Sequence, residues 1–237
     1  MDMTRRQALT ALAVAGSAAF IHPPATALAA AEVAPTNHQP VPLPFDPKKL
    51  PGLSERLLVS HHDNNYAGAV KNLNAVEAEL AKVGKDTPGF VVSGLKEREL
   101  SFTNSVILHE HYFANLGGDG KAAGSVQKAV ADSFGGFGRW EELFRATGTS
   151  LAGGSGWTVL DLNFHSGDLH TYSAGNHTQS VAFGAPLLVM DMYEHAYQMD
   201  YGAAAPKYID AFFANILWDE VERRYQRALK ASQALRS

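Results

Sequence analysis

The chain has 237 residues, of which 46% are hydrophobic, 24 are acidic and 20 are basic, and it contains no cysteine. This hydrophobic fraction excludes a wholly disordered chain, and a net charge of −4 argues against a protein that binds nucleic acid through a basic face. Without cysteine there are no disulfides, iron–sulfur clusters or thiol nucleophiles, so any bound metal ion must be held by His, Asp or Glu.

The N-terminus has the layout of a bacterial export signal. Arg5 and Arg6 precede an apolar, Ala-rich run from Ala8 to Phe20, and small residues follow as cleavage sites. We predict an export signal over residues 1–31, assigned by its paired arginines to the twin-arginine route, and a periplasmic or otherwise exported mature protein. The alternative is a retained anchoring helix. The run is too short to span a bilayer, so no membrane contact is expected after the signal is removed.

A helical hairpin domain is predicted over residues 54–120. Six prolines within residues 32–53 predict an extended arm ahead of it. Ser54 is a predicted N-cap for a long amphipathic helix that ends near Gly84, and a second helix is predicted over residues 95–116. The inward positions of the first helix are Leu57, Leu58, His61, Asn65, Ala69, Leu73, Val76 and Leu80.

The remaining residues, 121–237, are predicted to form a C-terminal domain with a small, about three-stranded antiparallel sheet and helices. The fold class is therefore α+β. The predicted strands are Trp157–Phe164, Asp168–Ser173 and Leu187–Met192, and the predicted helices are 124–134, 140–148, 205–217 and 218–235.

Asp191 and His195 are the first candidates for metal binding. A buried strand runs from Leu187 directly into Asp191, and His195 follows four residues later. An aspartate at a strand end and a histidine in the next turn can converge on one point, and burying either without a partner is costly. The alternative interpretation is an N-cap aspartate beside a surface histidine.

Two more histidines lie on the inner faces of the predicted helices. His61 shares its face with Leu57 and Leu73, and His109 shares its face with Phe113. A lone histidine on an apolar face is usually a core residue, but two on facing helices, with the Asp/His pair, form a candidate set of three nitrogens and one oxygen. This set suits manganese or iron, with a position left for water or substrate, and zinc would also accept it.

Four separated motifs now give the chain a resemblance to the iron/manganese superoxide dismutases. They are His61 with Asn72-Leu73-Asn74, His109 before Tyr112-Phe113, Gly154-Ser155-Gly156-Trp157, and Asp191-x-Tyr193-Glu194-His195-Ala196-Tyr197. They occur in the order and spacing of that family, and the resemblance covers about residues 42–225.

The resemblance implies that His61, His109, Asp191 and His195 hold one iron or manganese ion per subunit. It implies an enzyme whose substrate is superoxide and whose products are oxygen and hydrogen peroxide. A periplasmic metal-binding scaffold with lost or slow activity is the main alternative. A non-haem iron oxygenase is a third possibility, but it normally uses three protein ligands rather than four.

At two of the ligand positions a second histidine lies close by in the sequence, so the ligand must be chosen between two candidates. The motif spacing favours His61 over His62, and the Tyr112-Phe113 continuation selects His109 over His111. Residues two apart on a helix point about 200° apart, so only one of the latter pair can face a metal. The histidines left for surface or supporting roles are His62, His111, His165 and His170.

The resemblance also implies roles around the metal. His177 lies where the family places a residue that hydrogen-bonds metal-bound solvent, and Trp157 is expected to form a wall of the pocket. Glu194 resembles the residue that reaches across a dimer to the partner subunit's ligand histidine, which implies a homodimer or tetramer.

Four positions depart from the family pattern. Ala69 stands where the family has its gateway tyrosine, Asn65 replaces a histidine, Gln198 replaces its cross-dimer tyrosine partner, and Tyr193 replaces a tryptophan. Asn65 and Gln198 can hydrogen-bond each other through their amides. We expect Tyr66, one helical turn before Ala69, or Tyr193 to supply the missing phenol, with helix packing as the alternative role for Tyr66.

Overall fold

The computed structural model describes residues 37–179 and 182–236. The predicted export signal and the first residues of the proline-rich arm lie outside these ranges. The helices are α1 Glu55–Ser60, α2 Ala67–Leu80, α3 Gly89–Ala114, α4 Gly124–Phe134, α5 Phe137–Ser150, α6 Gln198–Tyr201, α7 Ala205–Ala214 and α8 Trp218–Arg236. The strands are β1 Trp157–Asn163, β2 Leu169–Ala174 and β3 Gly184–Asp191. This arrangement confirms the predicted α+β fold class.

The first predicted helix is interrupted by a π-helical segment, His61–Tyr66, between α1 and α2. A π turn holds one more residue than an α turn, so it shifts every later position around the helix axis. Tyr66 therefore faces inward with 1% of its surface exposed, whereas Asn65 is only half-buried. The prediction that Asn65 lies on the same inner stripe as His61 was wrong for this reason.

The ends of the hairpin helices also differ from prediction. α2 ends at Leu80 rather than near Gly84, because the chain leaves the helix through a turn capped at Ala81. α3 begins at Gly89, six residues earlier than predicted, because Pro88 supplies the N-cap and its carbonyl accepts from the backbone of Val91.

The sheet has strand order β2-β1-β3 and is antiparallel throughout. β1 and β2 form the predicted hairpin, and β3 begins at Gly184 and ends at Asp191, so it is shifted toward the N-terminus relative to the prediction. The register sets Trp157 directly opposite Asp191. A wall residue and a candidate ligand are thereby placed side by side across two strands.

The hairpin is fixed to the sheet at the end of α3. The side chain of Asn115 accepts a hydrogen bond from the backbone of Val189 at 2.9 Å, and its carbonyl accepts from Leu217 at 2.9 Å. Gly118 passes so close to the α7–α8 connection that a Cβ would lie 2.2 Å from the carbonyl oxygen of Ile216. These contacts hold the inner face of α3 against β3.

The extended arm is bound along the hairpin. The backbone N–H of His38 donates to Asn74 Oδ1 at 2.8 Å, and Asn74 Nδ2 donates back to the carbonyl of His38 at 2.9 Å. Farther along, the backbone N–H of Val41 donates to the Tyr66 hydroxyl at 2.8 Å. Within the parts of the chain that the structure describes, no helix is both long and apolar enough to cross a membrane.

Candidate metal centre

The four ligands predicted from the sequence converge on one buried point. His61, His109, Asp191 and His195 each place one donor atom within 4.8 Å of the others. Asp191 Oδ2 lies 3.0 Å from His61 Nε2, 3.2 Å from His195 Nε2 and 3.6 Å from His109 Nε2. The arrangement presents three nitrogens and one oxygen, as the motif spacing predicted.

Each donor comes from a different element. His61 opens the π-helical segment, and His109 lies in the last turns of α3 on the facing side of the hairpin. Asp191 is the last residue of β3, and His195 lies in a short 3₁₀ helix, Glu194–Ala196, that follows it. The start of α1 is tied to the segment after His195, because Ser54 caps α1 and also donates to Asp200 at 2.7 Å.

The two oxygens of Asp191 are used differently. Oδ1 accepts the backbone N–H of Tyr193 at 2.8 Å, which orients the carboxylate so that Oδ2 faces the histidines. Burial alone would raise the pKa of Asp191, but the adjacent His195 and His61 outweigh burial and hold the pKa well below its usual range. The carboxylate is therefore ionised at neutral pH.

The two helix histidines are held neutral. Burial lowers the pKa of His109 to about 3 and also lowers the pKa of His61. His109 Nδ1 donates to the backbone carbonyl of Ser105 at 2.6 Å, so the neutral ring carries its proton there and leaves Nε2 as a lone pair.

Nitrogen atoms of the cluster are buried without hydrogen-bond partners. They include Nε2 of His109 and both ring nitrogens of His61. Buried polar atoms are normally paired, and lone pairs that converge beside a carboxylate are what a divalent or trivalent cation requires. The residues therefore fit the iron or manganese ion that the donor set suggested.

One side of the cluster is formed by aromatic rings. Trp157 is fully buried and meets the His109 ring edge to face, with ring centres 5.0 Å apart. Tyr193 is stacked between His177, at 4.6 Å and 10°, and His195, at 5.3 Å and 14°. The predicted pocket residues Trp157, His177 and Tyr193 thus form a continuous wall beside the candidate ligands.

The tautomer of His177 follows from its contact with Trp157. The indole Nε1–H is a donor only, and it lies 3.0 Å from His177 Nδ1. Nδ1 must therefore accept, and the neutral ring carries its proton on Nε2. Burial lowers the pKa of His177, which keeps the ring in this neutral form.

The Tyr66 hydroxyl has two partners away from the cluster. It donates to Glu110 Oε1 at 2.8 Å and accepts from the backbone of Val41 at 2.8 Å. Burial raises the pKa of Tyr66 to about 12, and its ring centre lies 6.2 Å from that of His109. Tyr66 packs beside the site, with its hydroxyl group directed toward the arm.

The other positions that depart from the family pattern, and the predicted interface residue Glu194, differ in burial. Ala69 is buried in the core, Asn65 is half-buried, and Glu194 and Gln198 are exposed. The side chain of His195 is 24% exposed, unlike those of the two helix histidines. The pairing of Asn65 with Gln198 and the contact of Glu194 with a partner subunit stay predictions.

The remaining histidines lie outside the cluster. His62 turns away, with Nδ1 2.7 Å from Asp63 and Nε2 2.8 Å from the carbonyl of Val41. His111 Nδ1 donates to the carbonyl of Ile107 at 2.9 Å. His165 is exposed, and His170 stacks on Tyr172.

One supporting residue was missed by sequence reasoning. The hydroxyl of Tyr208, in α7, donates to the backbone carbonyl of Asp191 at 2.7 Å, and the hydroxyl of Tyr112 lies 3.3 Å from it. Tyr208 is separated from Asp191 by 17 positions in the chain, and nothing in the local pattern links the two.

Comparisons with known proteins agree with this geometry. Residues 122–224 match the family model of the iron/manganese superoxide dismutases, C-terminal domain. An iron superoxide dismutase of Cupriavidus metallidurans is 47% identical over 190 residues, which cover 80% of this chain and 96% of the relative. An iron superoxide dismutase of Aquifex aeolicus is 34% identical, covering 80% and 92%. A manganese superoxide dismutase of Haloferax volcanii is 32% identical, covering 80% and 96%.

Proposed function

The chain belongs to the iron/manganese superoxide dismutase family, and from this premise we propose that it converts superoxide into oxygen and hydrogen peroxide. In the net reaction two superoxide ions and two protons give one molecule of each product. A bound iron or manganese ion, one per subunit, supplies the one-electron chemistry by alternating between its +3 and +2 states. The observation that carries the proposal is the convergence of three histidine nitrogens and one carboxylate oxygen within 4.8 Å.

His61, His109, Asp191 and His195 would hold the ion, and the negative charge of the Asp191 carboxylate would lower the net charge of the metal site. His61, His109 and Asp191 are in the protonation state that metal binding requires, because burial keeps the two helix histidines neutral and the Asp191 carboxylate is ionised. Tyr193 fixes the carboxylate through its backbone N–H, and Tyr208 holds the same strand end through the carbonyl of Asp191.

His177 holds the proton beside the site. Its Nε2–H is fixed by the indole of Trp157, and its ring is fixed in orientation by the stack on Tyr193. Reduction of superoxide to hydrogen peroxide takes up two protons, so a neutral imidazole with a defined N–H beside the cluster suits this reaction. Tyr193 is the phenol whose ring lies in the wall, and its hydroxyl is hydrogen-bonded to Ser155 and to the backbone of His177. The hydroxyl of Tyr66 is bonded instead to Glu110 and Val41.

Dismutation by the mature chain tests the proposal directly. Residues 32–237 are reconstituted separately with iron and manganese, and turnover is normalised to bound metal. We expect fast turnover with one of the two metals. Stoichiometric binding with negligible turnover for both metals would contradict the proposal and support the metal-binding scaffold instead.

We also propose that residues 1–31 direct export and are removed. The support is the paired arginines, the apolar run and the small residues that follow it. Expression of the full chain in a bacterium, followed by fractionation and N-terminal sequencing, should recover a shortened protein in the periplasm. Replacing Arg5 and Arg6 with lysines should leave the full chain in the cytoplasm, and equal export of this variant would exclude the twin-arginine route.

We further propose that two subunits pair through the Glu194–His195 segment. Glu194 is exposed at the start of the 3₁₀ helix, and the adjacent His195 is the one candidate ligand with an appreciably exposed side chain among those described. A carboxylate of the partner subunit at this histidine would orient the ring. Light scattering should give the molar mass of a dimer or tetramer, and Glu194→Ala should shift the molar mass toward that of a monomer. A monomeric wild-type protein would exclude the pairing.

A further inference from the structure

A cavity that does not include the metal cluster lies between α3 and the sheet. Its volume is about 600 Å³, which is within the range of small-molecule sites, and none of the four candidate ligands lines it. Leu108 of α3, Val159 of β1 and Pro186 of β3 contribute much of its apolar lining. The cavity therefore offers an apolar molecule a place to bury its surface.

Asp161 is the charged residue of this cavity. It has 1% of its surface exposed, and its Oδ1 is buried with no hydrogen-bond partner. It lies against Gly184 of β3, where a Cβ would be only 2.1 Å from Oδ1. The absence of a side chain at Gly184 makes the room that this carboxylate occupies.

The charge of Asp161 has no compensation within the described protein. Its pKa is raised to about 6, and burial is the sole cause of the shift. Tyr172 also lines the cavity, and its hydroxyl accepts from Asn163 Nδ2 at 3.0 Å. His170 of β2 lies directly opposite Asp161 in the strand register and stacks on Tyr172. A buried carboxylate without a partner is costly, so a bound group that supplies positive charge and N–H donors would be stabilised here.

We propose that this cavity is a second binding site, and that its ligand is a small organic amine whose ammonium group pairs with Asp161. The apolar body of the amine packs against Leu108 and Val159, and the ammonium N–H groups donate to the carboxylate. The site does not depend on the proposed dismutase activity, because it shares no ligand residue with the metal cluster.

Calorimetric titration of the metal-loaded protein with benzylamine at pH 7.5 tests the site. Benzyl alcohol serves as the probe of the same shape without the charge. We expect one amine to bind per subunit, and the alcohol to bind about 10- to 100-fold more weakly, since a charge-assisted hydrogen bond to a buried group is lost. Amine affinity should also fall several-fold at pH 5, where Asp161 takes up a proton.

Two variants identify the site. Asp161→Asn should reduce the affinity for the amine to that for the alcohol, and Val159→Phe should abolish binding of both by filling the cavity. Dismutase activity per bound metal should stay unchanged in both variants, which separates this proposal from the proposed function. Equal affinity for the two probes, unchanged amine binding by Asp161→Asn, or no binding at millimolar concentration would each overturn the proposal.

Discussion

Two buried aspartates on neighbouring strands show opposite behaviour. Asp191, at the end of β3, and Asp161, in the middle of β1, are 0% and 1% exposed. The pKa of Asp191 is held well below its usual range, whereas that of Asp161 is raised to about 6. Burial penalises the ionised form of both, so the difference comes from what surrounds each carboxylate.

The surroundings of the two carboxylates differ in a simple way. Asp191 lies within reach of three histidines and a backbone N–H. Its carboxylate is the negatively charged group of the candidate metal site. The cavity beside Asp161 is lined by apolar and uncharged polar residues, and Asp161 Oδ1 has no hydrogen-bond partner among the described residues. Two carboxylates with the same exposure can therefore support ion binding at one place and reduce stability at another, depending on their partners.

The largest expected effect comes from Asp191→Asn. This substitution keeps the shape but removes the charge and one lone-pair oxygen, so we expect metal content to fall below stoichiometry. Activity per subunit should drop by more than about 100-fold, since changes in supporting residues alone cost metal sites 10- to 100-fold. Metal analysis and a dismutation assay measure the two effects.

The matched control for Asp191→Asn is His165→Ala, because His165 is exposed and lies outside the cluster. We expect wild-type metal content and activity for this variant. Normal activity in Asp191→Asn would show that Asp191 is not a ligand and would remove the contrast between the two aspartates.

Removal of the metal should destabilise the fold, because Asp191 and the three histidines lose the ion that they bind in the native state. A ligand that binds only the native state at 1,000 times its Kd contributes about 4 kcal/mol. Chelation followed by thermal unfolding should therefore lower Tm, and Tm should return when iron or manganese is restored. An unchanged Tm after verified removal of the metal would contradict this expectation.

Asp161→Asn should raise the free energy of unfolding, whereas metal removal should lower it. The folded pKa of Asp161, about 6, lies above its unfolded value of 3.8, so the native state binds more protons between these values. The contribution of Asp161 to stability is therefore lost as the pH rises through this window. We expect a gain of about 3 kcal/mol for Asp161→Asn at pH 7.5, and less than about 1 kcal/mol at pH 4.

Urea unfolding at the two pH values measures this gain. Asp86→Asn is a suitable control, because Asp86 is exposed and its substitution should leave the difference between the two pH values unchanged. A gain for Asp161→Asn that is equal at pH 4 and pH 7.5 would show that the charge of Asp161 is not its cause.

The smallest effects are expected from the two tyrosines beside the cluster. Tyr66→Phe removes hydrogen bonds to Val41 and Glu110 and should cost about 1 kcal/mol of stability with little change in turnover. Tyr193→Phe keeps the stack on His177 and should change turnover by a few-fold, since it loses its hydroxyl group beside the site. Steady-state turnover and thermal unfolding distinguish them, and a large loss of turnover in Tyr66→Phe alone would reverse the assignment.

The sequence predicted the four candidate ligands that the structure brings together. The four candidate ligands, the N-cap Ser54 and the hairpin between β1 and β2 all follow from local patterns and motif spacing, and the structure brings the donors together as predicted. Such features depend on residues close in the chain or on motifs whose order is preserved. Asp161 is also visible in the sequence as a charged residue within the apolar run of β1. Whether its carboxylate has a partner depends on neighbours in other elements, which the sequence does not show.

Only the tertiary structure decided the orientation of the groups around the cluster. The π-helical segment turned Tyr66 inward instead of Asn65, the indole of Trp157 set the tautomer of His177, and Tyr208 reached Asp191 from α7. Periodicity records which positions are apolar, whereas hydrogen-bond partners and pKa shifts depend on atoms brought together from distant parts of the chain. For the same reason, the sequence by itself determined which residues could bind a metal. The packing of α3 and the sheet decided that, among the described residues, Asp191 has hydrogen-bond partners and Asp161 has none.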